Sequence, residues 1–415
     1  MTERDTPESR AFEDVQVEGH LIDSGIISRI MDDIMDLEGE FEMLRFDVGR
    51  TNTDPSIAVI RVIGRDGDHL DHLMAAIQEH GVVPLNQEDA LTVAAPVDGV
   101  FPDDFYSTTN LDTCVRIDGE WIEVSDPEMD LGVRISDEGG AAAATPISDV
   151  HAGDRFVVGR IGVRVMPIER PREKQPFEFM ASAVSSEKPK AQIIGEVARL
   201  LRRTKQEGKR IIAVVGPAVV HTGAGEHVAR LVEMGYVDVL FGGNAVAAHD
   251  IESALYGTSL GVRLDDGAIV PGGHEHHLRA INAIRAQGGI REAVARGVLT
   301  KGLMHTLVKR DVPFVLAGSI RDDGPIPDVI TDVVDAQRAM RAYCQGAGAC
   351  LMLSTMLHAI ATGNMLPASV YTVCVDINPA VVTKLADRGS WQTIGVVTDV
   401  GLFLEQLAKE LGRAE

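Results

Sequence analysis

The sequence predicts an α/β protein, with a C-terminal doubly wound parallel sheet preceded by a ferredoxin-like α+β sandwich and a small β-barrel domain. Three patterns predict it. Residues 14–95 alternate strand and helix periods in the order β-α-β-β-α-β, residues 96–185 lose the helical period, and residues 186–415 alternate buried strands with striped helices.

In the first segment "DVQVEGHLI" alternates as a strand. "IISRIMDDIMDL" then sets Ile26, Ile27, Ile30, Met31, Ile34 and Met35 on one helix face. "EMLRFDVG" and "SIAVIRVIG" follow as strands, "HLDHLMAAIQEHG" as a helix ending at Gly81, and "DALTVAAPV" as the last strand of a split-βαβ sandwich. Such sandwiches commonly regulate, dimerise or cover a neighbouring site, so a homo-oligomer is expected.

In the second segment short strands ("TCVRIDGEWIEV", "LGVRIS", "RFVVGRIGVRVMP") are separated by Gly, Asp and Pro, the density of turns found in small barrels. "IERPREKQPFEFMASAVSSEKPK" carries mixed charge and reads as a connector; Phe177, Phe179 and Met180 also suit an ordered strap. In the third segment the strands are "RIIAVVG", "VDVLFGG", "PFVLAGS", "ACLMLST", "YTVCVD" and "TIGVVTD", each apolar on both faces. Helices such as "IIGEVARLLRRTKQ" and "PAVVTKLAD" lie between them. Ligands of such sheets bind beyond the carboxyl ends of the strands.

Composition narrows the function. A net charge of −23 over 415 residues repels phosphate backbones and argues against nucleic acid as a partner. No apolar run reaches the ~20 residues of a membrane span, and the charged N-terminus "MTERDTPESRAFED" does not fit a signal peptide, so a cytoplasmic chain is expected. Cys114, Cys344, Cys350 and Cys374 form no CxxC or CxxH pair and read as small core residues. "GGHEHHL" lacks the HExxH spacing, so no metal is expected.

A dinucleotide site has two candidate places. Gly223-Ala224-Gly225 follows its strand too late and has no third glycine, which suits a plain turn better than a phosphate loop. The better place is "ACLMLSTMLHAIATGNMLPASVYTVCVDINP". Here Ser354 or Thr355 can cap a helix whose first N–H groups, at Met356, Leu357 and His358, form an anion site. Asp376 ends the next strand, 21 positions after Thr355, placed to accept hydrogen bonds from a ribose diol. Capping of the helix at Asn378-Pro379 explains Asp376 equally well. Other strand ends add Asn244, Ala245, His249 and Asp250; Ser319, Arg321, Asp322 and Asp323; and Asp399.

Long runs, among them "FYSTTN", "GPAVVHTG", "GGNAVAAHDIE", "AGSIRDDGPIPDVITD", "MLHAIATGNMLP" and "VDINPAVVTKLADRGS", resemble the archaeal ornithine cyclodeaminase family. That family was formerly described as a LOR/SDH bifunctional conserved region, and it is similar to the C-terminal part of cyanobacterial arginine dihydrolase/ornithine cyclodeaminases. The resemblance covers nearly the whole chain from about residue 14. It implies a Rossmann-like NAD-binding catalytic domain and conversion of L-ornithine to L-proline and ammonia, with NAD recycled as hydride carrier. It also places NAD contacts on Asn244, Ala245, Asp322, Thr355, Met356, Leu357, His358, Asp376, Asp399 and Val400.

The reaction so implied calls for a proton shuttle, a cation for the substrate carboxylate and an anion for its distal ammonium. Among the strand-end loops these fall to His249, Arg321 and Asp323. Two other functions fit an NAD site: a saccharopine- or lysine-type dehydrogenase, and a non-catalytic NAD-sensing regulator.

Overall fold

The structure is a computed structural model that describes residues 11–22, 24–50, 54–85, 88–136, 139–166, 190–264, 268, 270, 273–322, 324–387 and 393–413. The expected connector, with Phe177, Phe179 and Met180, falls outside them. The chain divides at residue 178 into two units, each described by itself.

The first unit begins with β1 (Ala11–Gly19), α1 (Ile26–Asp36), β2 (Glu40–Asp47), β3 (Ser56–Gly64), α2 (Gly67–Gln78) and β4 (Val83–Pro84). The sheet order β2-β3-β1-β4, antiparallel throughout, is that of a split-βαβ sandwich. Period decides which faces are buried. Val15 and Val17 of β1 pack with Ala58, Ile60 and Val62 of β3 against Ile26, Ile30 and Ile34 of α1 and Leu70, Leu73 and Ile77 of α2. Asp66 starts α2 by accepting the His69 N–H at 2.8 Å.

A second sheet follows from β5 (Leu91–Ala94), β6 (Thr113–Ile117), β7 (Glu120–Ser125), β8 (Gly132–Ile135), β9 (Ala142–Thr145), β10 (Arg155–Val158) and β11 (Val163–Val165). Its order is β11-β6-β7-β9-β8-β10-β5. The two edges approach each other, because Ala90, just before β5, donates to Arg116 O at 2.8 Å and Arg116 N–H donates to Gly162 O at 2.7 Å. The sheet therefore curls around Tyr106, Val115, Val124, Val133, Val157 and Val163. One expectation is corrected here. The strand expected to close the sandwich, within 89–97, is β5 and pairs with β10; the sandwich instead closes on the two-residue β4. Both choices satisfy an apolar run equally, and the pairing partner lies far away in the chain.

The second unit opens with α3 (Lys190–Gln206), β12 (Arg210–Val215), α4 (Ala218–His221), α5 (Gly225–Glu233), β13 (Val239–Gly243) and α6 (Asn244–Tyr256). A small ribbon of β14 (Thr258–Ser259) and β15 (Val262–Arg263) leads to α7 (His276–Gln287), α8 (Ile290–Ala295) and α9 (Leu303–Lys309). Then come β16 (Phe314–Ala317), β17 (Val329–Ile330), α10 (Val333–Cys344), β18 (Ala347–Leu353) and α11 (Leu357–Met365). The unit ends with β19 (Tyr371–Asp376), α12 (Pro379–Asp387), β20 (Thr393–Val397) and α13 (Val400–Leu411).

The large sheet, order β17-β16-β13-β12-β18-β19-β20, is parallel at every pairing. It contains the six expected strands and adds β17 at one edge, too short to announce itself as an apolar run. Both faces are covered. Ile212, Val214, Cys350, Met352 and Cys374 pack under residues of α10, α11 and α12, and three of the four cysteines are thus core residues.

Strand order reverses between β12 and β18, the place where such folds open a ligand crevice. There the backbones touch. Gly216 N–H donates to Leu353 O at 2.9 Å, and a Cβ on Gly216 would sit 1.9 Å from the Ser354 carbonyl oxygen. Ser354 itself takes a left-handed φ of 47°. Gly223 lies instead in the left-handed turn between α4 and α5, with open space where a side chain would be.

Gly216→Ala should therefore force the two central strands apart, at a cost of about 1–3 kcal/mol of unfolding free energy, whereas Gly223→Ala should show only the strain of its turn. Urea unfolding of both variants compares the two directly, and equal stability of Gly216→Ala and wild type would contradict the close approach.

Candidate active site

Parallel connection puts the C-terminal ends of the large sheet's strands on one edge, and several described polar residues follow those ends. β13 runs into α6 at Gly243, where no side chain caps the first turn. Asn244 is buried, and its Oδ1 accepts the Ile326 N–H at 3.1 Å, tying the loop after β16 to this helix start. His358 lies over Gly243, since a Cβ there would stand 3.1 Å from its ring. Burial lowers the His358 pKa, with Asp322 pulling the other way. Asp322 is held in its turn by the Ser319 N–H at 2.7 Å. The absence of a side chain at Gly243 thus lets a neutral imidazole approach the end of β13.

The helix after β18 differs from expectation in one respect. It begins at Leu357, with Met356 in the cap position and no side-chain oxygen bonded to its first turn, so neither Ser354 nor Thr355 caps it. Ser354 is turned away by its left-handed backbone, which lets Ser354 N–H donate to Val375 O at 2.9 Å across to β19. Without a cap, the first N–H groups keep their bonding capacity at the positive end of the helix dipole.

Asp376 does not cap α12 itself. Its Oδ1 accepts the Asn378 N–H at 2.8 Å, and Asn378, not Asp376, accepts from Ala380 N–H at the start of α12. Among the described residues the other carboxylate oxygen of Asp376 makes no hydrogen bond. Asp399 is an N-cap, its Oδ1 accepting the Leu402 N–H at 2.9 Å, and the Val400 side chain is buried.

His249 proves to be the centre of a network that the sequence reading did not contain. Its Nδ1 lies 2.9 Å from Oε2 of Glu252, one helical turn on and wholly buried. Glu252 also accepts from Thr258 Oγ1 at 2.9 Å and from the N–H groups of Leu260 and Gly261 at 3.3 and 3.1 Å. Burial resists the charge on Glu252, but the donors from His249, Gly261 and Thr258 outweigh it and hold the carboxyl below its usual range. An ionised Glu252 requires the proton of His249 on Nδ1, which leaves Nε2 as the free lone pair.

Three further histidines surround it. The His221 ring stands edge-on to His249 at 4.6 Å with its Nδ1 2.7 Å from Ser259 Oγ, and burial, then the neighbouring His249, lowers its pKa. His276 Nδ1 lies 2.8 Å from Thr258 Oγ1, and the His277 ring is 6.2 Å from that of His249. The "GGHEHHL" run therefore supplies His276 and His277 to the His249 network. Among the described residues no three metal-ligating side chains converge. Glu252 was legible as a same-face partner of His249 at i+3. His221, Thr258 and Ser259 carried no local signal.

Arg321 is on an exposed turn, its backbone N–H on Ser319 Oγ at 3.1 Å, beside the fully exposed Ile320. Asp323 lies outside the described residues. Asp250 is structural. Wholly buried, it accepts the N–H groups of Leu303 and Met304, both at 2.8 Å, at the start of α9.

Burial pushes the Asp250 pKa up to about 6, with those two N–H groups opposing it. A folded pKa above the unfolded one favours folding fully below about pH 4 and loses that contribution as pH rises through about 6, by a few kcal/mol at most. In Asp250→Asn the slope of unfolding free energy over this interval should flatten. The variant should also lose about 1–3 kcal/mol from an N–H left without its acceptor. Denaturant titrations at pH 4, 5, 6 and 7 read both effects.

The sequence matches three families in succession: the LOR/SDH bifunctional enzyme conserved region over 12–111, and the first and Rossmann-fold regions of the arginine dihydrolase ArgZ-like C-terminus over 112–194 and 195–407. A relative from Methanopyrus kandleri named ornithine cyclodeaminase is 54% identical over 96% of this chain and 97% of its own. The structure is similar to apo ArgZ, a cyanobacterial arginine dihydrolase, at a TM-score of 0.84 and 40% identity, covering 97% of this chain and 58% of that one. It is also similar to the ternary complex of AgrE with ornithine and NAD+, at a TM-score of 0.53 and 43% identity, covering 97% of this chain and 57% of that one. The resemblance first met in the runs around Asn244, His358 and Asp376 therefore extends along the whole fold, and the chain belongs to the archaeal-type ornithine cyclodeaminase family.

Proposed function

We propose that the protein is an ornithine cyclodeaminase that converts L-ornithine to L-proline and ammonia with NAD as a recycled hydride carrier. The observation that carries this reading is the near-full-length likeness, at about half identity, to relatives bearing that name. The carboxyl edge of the second unit fits the cofactor. Its strand order reverses beside β12, α11 starts without a side-chain cap, and one carboxylate oxygen of Asp376, on the adjacent strand, makes no hydrogen bond among the described residues. Met356, Leu357 and Ile377, apolar yet exposed on the same edge, offer a surface for the flat adenine.

On this reading the diphosphate lies at the first N–H groups of α11 (Met356, Leu357, His358), with Thr355 beside it. The adenosine ribose lies on Asp376, with Asp399 and the Val400 backbone nearby. Asn244, Ala245, Asp322 and the His358 ring border the other end. Bound NAD+ supplies a hydride acceptor for Cα of ornithine and returns the same hydride to the cyclic imine.

The protons are the work of the chain. One must leave the α-ammonium before hydride can depart from Cα, and one must leave the δ-ammonium before that nitrogen can attack the imine carbon. Both return, one with the departing ammonia and one on the proline nitrogen. His249 takes and gives these protons at Nε2, the nitrogen that the Glu252 bond keeps available. Glu252 positions the ring and stabilises its charged form. His221, kept neutral by burial, can stand against His249 without repelling that charge. Arg321 is assigned to the substrate carboxylate and Asp323 to the distal ammonium.

Purified protein with L-ornithine and catalytic NAD+ should yield proline and ammonia in equal amounts, with no lasting absorbance of reduced cofactor. Stoichiometric reduced cofactor without proline would instead identify a simple dehydrogenase, and cofactor binding with no chemistry a sensor. In Glu252→Gln, which places an amide where His249 donates, turnover should fall about 10²–10⁴-fold with a shifted pH–rate profile. The Michaelis constant for NAD+ should change little. Asp376→Ala should do the reverse, raising that constant about tenfold by loss of a charged hydrogen bond.

A further inference from the structure

The first unit holds a cavity of about 1010 Å³, walled by β1, α2 and β4 of the sandwich and by β5, β7, β10 and the turn into β11 of the curled sheet. It is large enough for a small organic ligand, and its lining is chemically divided. One part carries Glu13, Asp71 and Glu88, and Asp104 adds a fourth acidic residue to the lining. Glu13 is half-buried and has no cation partner among the described residues, the nearby Arg61 being committed to Asp14 by two bonds of 2.7 and 2.9 Å. Its carboxyl is accordingly pushed above the usual range, by burial first and then by Asp14, Glu88 and Asp71.

Another part carries Arg160 and Tyr106. Arg160 is fixed by Gln78, its Nη1 donating to Gln78 Oε1 at 3.1 Å while Gln78 Nε2 donates to Val163 O at 3.0 Å. The guanidinium has no carboxylate partner among the described residues. Tyr106, only 5% exposed, shares this part of the lining and lies close enough to Arg160 to feel its charge. Trp121 and Phe105 also line the cavity, offering apolar and cation–π contact.

We propose that this cavity binds a free α-amino acid with a cationic side chain, its carboxylate on Arg160 and Tyr106 and its distal cation on Glu13, Asp71 and Glu88. A nucleotide or inorganic anion would meet four acidic residues, Glu13, Asp71, Glu88 and Asp104, with nothing of its own to offset their charge. A bare metal ion would leave Arg160, Tyr106 and the aromatic wall unused. The site belongs to the first unit alone and does not depend on the catalytic reading of the second.

The test is titration calorimetry of the full chain, saturated with NAD+, using L-arginine and L-lysine as probes. At least one should bind, and Arg160→Ala and Glu13→Gln should each weaken it tenfold or more without lowering the melting temperature. Tyr106→Phe should weaken it less. L-Norvaline, which lacks the distal cation, should give no heat, and putrescine, which lacks the carboxylate, should be indifferent to Arg160→Ala. No heat with either amino acid, or heat fully retained in both charge variants, overturns the proposal. L-Ornithine turnover by the same preparations should be unaffected by the variants. Loss of turnover already in the wild type would count against the cyclodeaminase reading and leave the cavity's ligand standing.

Discussion

Seven parallel strands buried on both faces can be joined only by connections that cross back over the sheet, so every strand ends on the same edge. The rest of the second unit depends on this constraint. It brings together side chains as distant in sequence as Asn244 and Ile326, or Gly243 and His358. It also gathers helix N-termini there, so the edge carries positive backbone dipoles in a chain whose net charge is strongly negative. That edge is thus the place where an anionic ligand would meet favourable backbone dipoles on a protein whose overall charge repels it.

Glu252 plays a comparable part within the site. A carboxylate taken out of water is costly unless donors surround it. Glu252 has four, from His249, Thr258, Leu260 and Gly261, supplied by a helix turn and by the segment just beyond it. The satisfied charge then orders its surroundings. It fixes the tautomer of His249, holds the ribbon of β14 and β15 against α6, and through Thr258 reaches His276 at the start of α7. Asp250, the residue next to His249, faces away and is used for the start of α9, so adjacent positions on one helix divide chemistry from support.

The first unit shows the same physics with another outcome. Its sandwich and its curled sheet each close a separate apolar core, and the groups left between them, Glu13 and Arg160, satisfy neither core. Unpaired charges beside a cavity are a different matter from the paired ones elsewhere on this unit. Arg61 with Asp14 and Arg116 with Asp89 are ordinary ion pairs of the kind that contribute little on an exposed surface.

The sequence by itself determined most of the elements and the position of several polar residues on the carboxyl edge of the large sheet. The periods of the apolar residues separate strand from helix because 2 and 3.6 cannot be confused over a long run. The place of Asn244, His358, Asp376 and Asp399 followed from where those runs stop. Tertiary structure alone decided three things, each a matter of which distant groups meet. It paired β5 with β10 and not with the sandwich, because an apolar strand carries no mark of its partner. It left α11 uncapped, because the approach of Gly216 to Ser354 settles the backbone that a hydroxyl cap would require. It drew His221, Glu252, Thr258 and His276 around His249, since a hydrogen-bond network is defined by distances that no spacing along the chain records.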